Sequence, residues 1–411
     1  MKMQDRRQFM GAAAMTALSY QRVLGANDRI RVANIGCGRR QLLRDLMSVK
    51  DSAQITVTAV CDTWKQKLDA AVAQVREFAG NTPAATPRYL EAMHRADVDA
   101  VVIGTPDHQH CTMLVDAIKA GKHVYVEKPL AMNMEELIRA YDAVKASDRV
   151  VQVGTQMRSY PQARGLKAFL EKKGLGTMLK VEQVRNGYSP YWMSFGGPTY
   201  TGAPPRAEDV DWQAFLMGRE KRPFDANQYQ NWYGYSDFSQ GPHTNLMVHF
   251  IDLMHFTTGV EFPSKVVALG GTYRWKAAYD VPDSVEVVYE YPEGFMVRYC
   301  TMFGNGANNY AKWFGTLGTV DAARLSPREK WVATGDGSGE PGKIASRIEM
   351  DEPPTPHHMQ DFIECIRTGR KPIAPIEAGF SHSVAVIAAD KALREGRRFT
   401  YNAQKRAILA I

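Results

Sequence analysis

The sequence predicts an α/β fold: an N-terminal doubly wound parallel sheet, followed by an α+β domain with a large, mostly antiparallel, open sheet. A chain of 411 residues is too long for one compact core. Short apolar strands alternate with helical patterns up to about residue 154, and strands dominate after it. We therefore predict a leading segment over residues 1–26, a nucleotide-binding domain over residues 27–154, and a domain for substrate binding and oligomerisation over residues 155–411.

The first strand and the turn after it predict a dinucleotide site. Residues 29–35 form an apolar strand that runs into Gly36-Cys37-Gly38 and then into an amphipathic helical pattern. Gly36 and Gly38 would let backbone N–H groups approach a pyrophosphate. Asp62 follows the next strand and lies 24 residues beyond Gly38, which suits a carboxylate that binds a ribose 2′-hydroxyl. Its charge would repel a 2′-phosphate, so the sequence favours NAD over NADP.

The glycine pattern is incomplete, because Gln41 occupies the position of the third glycine in G-x-G-x-x-G. A G-x-G alone is a weak signal, since a plain strand-to-helix turn would look similar. Arg39 and Arg40 are candidate phosphate partners, although both could equally be solvated.

Two further strands end at residues that could contact a ligand or transfer a proton. Thr105-Pro106 gives a rigid turn after residues 100–103, and His110 opens a helix. Lys128 follows the strand at residues 124–127, in Glu127-Lys128-Pro129. Ligands bind outside the carboxyl ends of strands in an open parallel sheet. A lysine placed there could face a cofactor, where burial would lower its pKa for proton transfer; the alternative is a surface lysine before a turn.

Taken together, these motifs resemble the Gfo/Idh/MocA family (glucose–fructose oxidoreductase, inositol dehydrogenase and MocA) from residue 30 to about residue 398, with a further match at residues 153–158. The resemblance implies a Rossmann domain that binds NAD, and hydride transfer as the chemistry. It implies that Lys128 contacts the nicotinamide ribose and the substrate. The predicted cofactor-binding residues are Gly36, Gly38, Arg39, Asp62, Thr105, Pro106, His110, Glu127, Lys128 and Gln156.

The resemblance also implies an Asp-x-x-x-His pair that handles the proton. The histidine is His249, but the usual aspartate four residues earlier is Asn245. Positions 245, 249 and 252 share one helical face. Asparagine can bind a sugar hydroxyl but cannot ionise, so Asp252 could orient His249 instead. We predict Lys128, His249, Asn245 and Asp252 as catalytic residues; the alternative for His249 is a packed histidine on an apolar helix.

An aromatic-rich segment over residues 188–241 is too long to be an idle loop. Its rings could stack on a sugar, with Arg185, Asn186 and Arg206 nearby for hydroxyls, or they could pin the segment to the sheet. Trp212 is the clearest candidate for a structural role. The aromatic residues of the segment include Tyr191, Trp192, Tyr200, Trp212, Trp232, Tyr233 and Tyr235. The predicted substrate-binding residues are Arg158, Tyr188, Trp232 and Tyr235.

The second domain shows strand patterns at residues 178–185, 265–274, 284–291, 295–302 and 313–320, with a hairpin turn at residues 291–294. Helical patterns cover residues 164–173, 357–368 and 378–394. In the family the large sheet often mediates oligomerisation, so we expect a homo-oligomer, either a dimer or a tetramer.

The leading segment resembles a twin-arginine export signal. Arg6-Arg7 is followed by Phe9-Met10 and a short alanine-rich run, and Leu24-Gly25-Ala26 offers a cleavage site. A frayed amphipathic helix is the alternative. The run is too short to span a membrane. Twin-arginine export carries folded proteins, so we expect a periplasmic or otherwise exported protein that acquires NAD in the cytoplasm and holds it tightly.

Charge and cysteine content narrow the choice of partners. The net charge is +7, of which the first 26 residues contribute +3, and no basic run is interleaved with aromatic residues. We therefore expect no nucleic-acid partner. The five cysteines are scattered, so we predict neither a structural disulfide nor a metal site.

Three functions remain open from the sequence. The first is an NAD-dependent oxidoreductase acting on a sugar, polyol or glycoside. The second is an NAD-dependent glycosidase resembling glycoside hydrolase family 109, in which oxidation and elimination cleave the glycosidic bond without net redox change. The third is a non-catalytic sugar-binding protein, for which the loss of aspartate at position 245 is the only argument.

Overall fold

A six-stranded parallel sheet forms the N-terminal half of this computed structural model, which describes residues 29–190, 204–276 and 279–411. The strand order is β3-β2-β1-β4-β5-β6. The strands are β1 (Ile30–Ile35), β2 (Ile55–Cys61), β3 (Ala84–Thr86), β4 (Ala100–Ile103), β5 (His123–Val126) and β6 (Val151–Val153). The predicted doubly wound sheet is confirmed.

Helices cover both faces of this sheet, which explains its nearly continuous apolar strands. In β4, Val101 and Ile103 join one apolar cluster, while Ala100 and Val102 join another on the opposite face. The connecting helices are α1 (Leu42–Ser48), α2 (Lys65–Ala79), α3 (Tyr89–Met93), α4 (His110–Lys119) and α5 (Met134–Lys145). Because the strands are parallel, the turns that follow β1, β2, β4 and β5 meet at one edge.

The second half is built on a ten-stranded sheet in the order β14-β13-β12-β11-β7-β10-β9-β8-β15-β16. Its ladders are antiparallel except for the parallel pair β7 and β10. The strands are β7 (Met178–Val184), β8 (Lys265–Gly271), β9 (Ser284–Tyr291), β10 (Phe295–Met302), β11 (Tyr310–Gly315), β12 (Gly318–Asp321), β13 (Val332–Thr334), β14 (Ile348–Glu349), β15 (Phe399–Asn402) and β16 (Ala407–Ala410). The predicted large, mostly antiparallel sheet is confirmed.

One predicted strand was wrong. Residues 313–320 form a hairpin of β11 and β12, in which Trp313 pairs with Val320 and Gly315 with Gly318. Both glycines lie against neighbouring backbone: a Cβ at Gly315 would be 2.3 Å from the carbonyl oxygen of Leu175. The tight turn thus depends on two glycines, and the apolar pattern of residues 313–320 did not indicate it.

Helices cover one face of the ten-stranded sheet. The long C-terminal helix packs there, and the hydroxyl of Tyr289 in β9 donates to the carbonyl of Ala385 at 3.2 Å. The other face keeps apolar side chains in solvent, with Leu269 77% and Met296 48% exposed. The helices of this half are α6 (Pro161–Glu171), α7 (Trp212–Leu216), α8 (Ala226–Gln230), α9 (Pro242–Asn245), α10 (Met247–Thr258), α11 (His358–Thr368) and α12 (Ile376–Glu395).

Several sequence predictions concern residues that the structure does not describe. The twin-arginine segment lies outside the described residues, as do Tyr191, Trp192 and Tyr200 of the aromatic segment. Within the described ranges, none of the helices has both the length and the apolar character needed to cross a bilayer.

Candidate active site

A cleft of about 450 Å³ lies at the edge of the parallel sheet where β1, β2, β4 and β5 end. The turns after these strands form one wall, and the aromatic-rich segment forms the other. Predicted site residues that line the cleft are Gly36, Gly38, Arg39, Asp62, Thr105, Pro106, His110, Glu127, Lys128 and Trp232. Most of the residues predicted from the sequence to bind the cofactor therefore line one cleft.

The turn after β1 is shaped for close approach. Gly36 has φ +87°, and a Cβ there would be 2.6 Å from the carbonyl oxygen of Gly104, so only glycine fits. At Gly38 a Cβ would meet nothing within 4 Å, which leaves open space above the backbone. Gln41 takes φ +53°, an uncommon conformation for a residue with a side chain. This turn fits the predicted pyrophosphate position, with Gln41 strained where the motif has glycine.

Asp62 lies in the cleft wall at the end of β2. Its carboxylate accepts hydrogen bonds from the backbone N–H of Cys37 at 2.8 Å and of Trp64 at 2.9 Å. Burial raises the pKa of Asp62, although these two hydrogen bonds oppose that effect. A carboxylate has about four acceptor positions, so Asp62 keeps the capacity to bind a ribose hydroxyl.

The two candidate phosphate partners have different surroundings. The guanidinium of Arg39 lies over the ring of Tyr233, 5.7 Å from its centroid, at the cleft. Arg40 instead binds Glu127 at 2.7 Å and Asp45 at 3.0 Å. Arg40 is therefore already neutralised by carboxylates, which argues against its predicted role as a phosphate partner.

Glu127 organises the base of the cleft. Its carboxylate accepts from Arg40 and, at 2.7 Å, from the side chain of Gln156. The same carboxylate accepts from the backbone N–H of Lys128 at 3.2 Å. Gln156 also donates to the hydroxyl of Tyr125 at 3.2 Å. Gln156 thus lies behind Glu127, and its predicted contact with the cofactor would require another rotamer.

His110 braces two of the turns that frame the cleft. One ring nitrogen lies 2.8 Å from the carbonyl oxygen of Thr105 and the other 2.7 Å from that of Pro129. The ring is buried. His110 therefore fixes the Thr105-Pro106 turn against the turn that follows Lys128, whatever contact it makes with a cofactor.

Lys128 lines the cleft, is hydrogen-bonded to Asn245, and acts on His249 through its charge. The ammonium of Lys128 donates to the main-chain oxygen of Asn245 at 3.0 Å and to its side-chain oxygen at 3.4 Å. Burial lowers the pKa of Lys128, while Glu127 and Asp107 oppose that shift. Burial also lowers the pKa of His249, and the charge of Lys128 adds to the effect. At neutral pH His249 is therefore an uncharged imidazole.

The predicted roles of Asp252 and Arg158 need correction. Arg158 donates two hydrogen bonds to Asp252, at 2.8 and 2.9 Å, and His382 lies 3.0 Å from the same carboxylate. Burial alone would raise the pKa of Asp252, but the charge of Arg158 holds it below its usual range. Asp252 does not orient His249, whose buried Nδ1 has no hydrogen-bond partner among the described residues. The guanidinium of Arg158 is in turn occupied by Asp252, because a buried carboxylate needs a partner. It is therefore not available to a substrate as predicted.

Some aromatic residues of this segment line the cleft, and others pack in the interior. Trp232 stacks on Tyr233 with centroids 3.6 Å apart, and both line the cleft. Trp212 is buried and stacks on Phe215, the packing role that the sequence favoured for it. Two predicted substrate residues do not line the cleft among the described residues. Tyr188 is 83% exposed, and the hydroxyl of Tyr235 accepts from Asn227.

The groups expected to bind sugar hydroxyls differ in whether they already have partners in the protein. Arg206 pairs with Asp209 and Glu208, and the side chain of Asn186 donates to the carbonyl of Ala307. Arg185 forms no ion pair among the described residues and contributes positive charge at Lys128 and His249. Arg185 is therefore the member of this group that remains available to a substrate.

Residues 204–241 form a strap over the cleft, a feature that the sequence did not reveal. The strap is tied to the turn after β2, where the backbone N–H of Asp211 donates to the carbonyl of Thr63 at 2.8 Å. It is tied to the turn after β4, where the carbonyl of Phe215 lies 2.9 Å from the ring of His108 and accepts from Gln109 at 2.7 Å. The length and aromatic content of residues 188–241 indicated a functional segment, but they did not indicate these contacts.

Fold and cleft together define an NAD-binding oxidoreductase, and comparison with known proteins supports that class. Residues 30–155 match the family model described as "oxidoreductase family, NAD-binding Rossmann fold", and residues 218–401 match the corresponding C-terminal alpha/beta domain. The chain belongs to the Gfo/Idh/MocA oxidoreductase family.

Sequence identity to individual relatives is low. Inositol 2-dehydrogenase of Rhizobium meliloti is 25% identical over 369 residues, which cover 89% of this chain and 96% of that protein. Glycosyl hydrolase family 109 protein 2 of a Shewanella species is 34% identical over 174 residues, but the match spans only 38% of that relative and 35% of this chain. Among solved structures, the WlbA dehydrogenase of Chromobacterium violaceum, in complex with NADH and UDP-GlcNAcA, has a TM-score of 0.69 at 19% identity, covering 92% of this chain and 98% of that one.

Proposed function

We propose that the protein oxidises a hydroxyl-bearing carbon of a sugar, polyol or glycoside, using an NAD molecule that it holds tightly. The observation that carries this proposal is the position of Lys128. Its side chain lines the nucleotide cleft, its pKa is lowered by burial, and its charge acts on the uncharged His249. The names of two relatives support the substrate class, since one is an inositol dehydrogenase and the other a glycosyl hydrolase.

The residues present fit NAD. Gly36 allows the tight turn, Gly38 leaves room for a pyrophosphate, and Asp62 offers a carboxylate to a ribose. When bound, NAD would supply the hydride acceptor. The remaining work belongs to the protein: Lys128, in the neutral amine form that burial favours, takes the proton of the substrate hydroxyl, and His249 offers its neutral ring as a hydrogen-bond partner for the same oxygen. Arg185 adds positive charge that stabilises the oxygen as it loses its proton.

Tight retention of NAD is supported by the strap. Its two ties lie on either side of the cleft, at Thr63 and at Gln109, and Tyr229 of the strap lies 3.1 Å from the hydroxyl of Thr63. A nucleotide beneath it would leave only after these hydrogen bonds break. A retained cofactor, once reduced by the first substrate, must be reoxidised in place, so the enzyme would couple oxidation of one substrate to reduction of another.

A second candidate is a glycosidase of the kind named among the relatives. The glycosyl hydrolase family 109 matches favour it, and so does the strap, because such chemistry returns the hydride to the same substrate and needs no cofactor exchange. Cleavage of a glycoside with no net NADH would distinguish it. A glycoside that survives long incubation with the NAD-loaded protein would rule it out.

The non-catalytic alternative has less support than the sequence alone gave it. Its argument was the absence of a carboxylate at position 245, yet Asn245 contacts both Lys128 and a buried carboxylate. A Lys128→Ala variant with unchanged ligand affinity and no lost activity would favour this alternative.

We also propose export by the twin-arginine route and assembly through the ten-stranded sheet. The paired arginines at the start of the sequence support export, which is tested by fusing residues 1–26 to a reporter that requires twin-arginine transport. The uncovered face of the sheet, with Leu269 and Met296 exposed, supports assembly into a homo-oligomer.

The experiment that tests the main proposal pairs substrates. Purified protein is incubated with a panel of sugars and polyols, singly and in donor–acceptor pairs, and the products are separated by chromatography. Interconversion of a pair without added NAD is the expected result. A protein that retains NAD but neither interconverts any pair nor reduces added NAD would contradict the proposal.

A further inference from the structure

Asp107 is a buried carboxylate at the cleft that none of the predicted roles uses. It follows Pro106 in the turn after β4 and is 3% exposed. The side-chain nitrogen of Asn245 donates to both of its oxygens at 3.0 Å, and the hydroxyl of Ser239 donates to one of them at 2.7 Å. Both oxygens act as acceptors here, which is the pattern of an ionised carboxylate. Burial raises the pKa of Asp107, but the charge of Lys128 and the hydrogen bonds from Asn245 and Ser239 oppose that shift.

The carboxylate decides which way the amide of Asn245 points. An ionised carboxylate has no proton to donate, so the amide nitrogen must face Asp107 and the amide oxygen must face away. That oxygen lies 3.4 Å from the ammonium of Lys128, which also donates to the main-chain oxygen of Asn245. Asp107, Asn245 and Lys128 therefore form one hydrogen-bonded chain, from a buried anion to the ammonium in the cleft.

We propose that Asp107 is a positioning residue for the reaction, which acts through Asn245 to hold Lys128 and to supply the negative charge that the family pattern would place at position 245. The inference rests on the proposed function only in its consequence for turnover, because the contacts exist whatever the substrate.

Several charges act on Lys128, and Asp107 is one of two that favour its protonated form. Glu127 is the other, while Arg185 and Arg40 oppose protonation, as would a proton on His249. Removing the charge of Asp107 should therefore lower the pKa of Lys128. If Lys128 takes the proton from the substrate, the acid limb of the pH profile of turnover moves to lower pH.

The test reads Lys128 directly. Trace acetylation of the full-length protein, as purified and with its nucleotide content measured, gives the reactivity of Lys128 against pH by mass spectrometry. Asp107→Asn keeps the shape of the side chain, and its amide can pair with Asn245 and Ser239. We expect this variant to lower the midpoint of Lys128 labelling by roughly one pH unit. Asp361→Asn, which removes a buried carboxylate outside the cleft, should leave the midpoint unchanged.

Exchanging the two groups is the decisive control. In the double variant Asp107→Asn, Asn245→Asp, the carboxylate lies next to Lys128, and the midpoint should return to the wild-type value or rise above it. A D107N midpoint that coincides with wild type would overturn the inference. If D107N does not fold, a double variant with a midpoint below wild type would overturn it equally. Turnover of the wild type is measured separately, so an inactive wild type contradicts the proposed function without touching this result.

Discussion

The ammonium of Lys128 donates a hydrogen bond of 3.0 Å to the main-chain oxygen of Asn245, 117 residues further along the chain. This contact joins the end of β5 in the parallel sheet to α9 of the second half. The candidate proton acceptor is therefore held by both halves of the molecule, and its environment depends on how they pack together.

Loss of the Lys128 amine should abolish turnover without releasing the cofactor. General acid–base groups typically contribute about 10²–10⁴ in rate, so we expect Lys128→Met to lower kcat by that factor. The methionine keeps the length and volume of the side chain. The measurement is steady-state turnover alongside the nucleotide content of the purified variant. A variant with wild-type kcat would remove Lys128 from the mechanism.

Asp62 should control both the affinity for NAD and the preference over NADP. A hydrogen bond to a charged group contributes about 1.5–3 kcal/mol, so Asp62→Ser should weaken NAD binding by roughly tenfold to a hundredfold. The same change removes the charge that would repel a 2′-phosphate, so NADP binding should improve relative to NAD. Calorimetric titration with both nucleotides checks this. An unchanged ratio of the two affinities would contradict the role assigned to Asp62.

The strap should control how fast NAD leaves. Tyr229→Phe removes the hydroxyl that lies 3.1 Å from Thr63, a hydrogen bond worth about 1 kcal/mol. We expect the dissociation rate of NAD, followed by exchange with labelled nucleotide, to rise about fivefold. Tyr235→Phe is the matched control, because the hydroxyl of Tyr235 accepts a hydrogen bond from Asn227 of the same segment. Equal rates for Y229F and wild type would mean that the strap does not retain the nucleotide.

Arg158 should matter for stability and not for substrate affinity. Breaking a buried ion pair on one side typically costs about 3–5 kcal/mol, since it leaves an unpaired charge. Arg158→Met should therefore lower the free energy of unfolding by that amount, while KM for the substrate stays unchanged in the folded fraction. Denaturant unfolding and KM are measured on the same preparation. A large rise in KM with unchanged stability would restore the substrate-binding role predicted from the sequence.

Buried histidines should make the protein less stable in mild acid. Burial lowers the pKa of His255 to about 3 and that of His358 to about 4, against an ordinary value near 6.5. Below pH 6.5 the unfolded chain binds protons that the folded chain refuses, so stability falls as pH falls, by about 1.4 kcal/mol per pH unit for each such group. The effect of Asp252 begins only below pH 3.8, because its pKa is lowered by folding. Unfolding is measured between pH 7 and pH 4.5, and His255→Gln should flatten the slope relative to wild type.

The sequence predicted the cofactor wall well because its residues follow strands of a parallel sheet. Asp62 and Lys128 each come directly after an apolar strand, and parallel strands bring such positions to one edge. The partners of Arg158 and Asp107 could not be predicted in this way. Arg158 pairs with Asp252 across 94 residues, and Asp107 pairs with Asn245 across 138, so helical spacing on one element says nothing about either contact. Helical spacing put Asn245, His249 and Asp252 on one face of a single helix, but Asn245 ends α9 while His249 and Asp252 lie in α10. Tertiary packing then pairs Asp252 with Arg158.

Retention of NAD in this cleft is tested most simply by identifying which small molecules the purified protein carries. The full-length protein is purified without added nucleotide and denatured, and the released small molecules are identified and quantified by mass spectrometry. We predict close to one NAD or NADH per chain. A nucleotide-free protein that weakly binds added NAD would contradict tight retention, and one that binds none would contradict the proposed oxidoreductase function altogether.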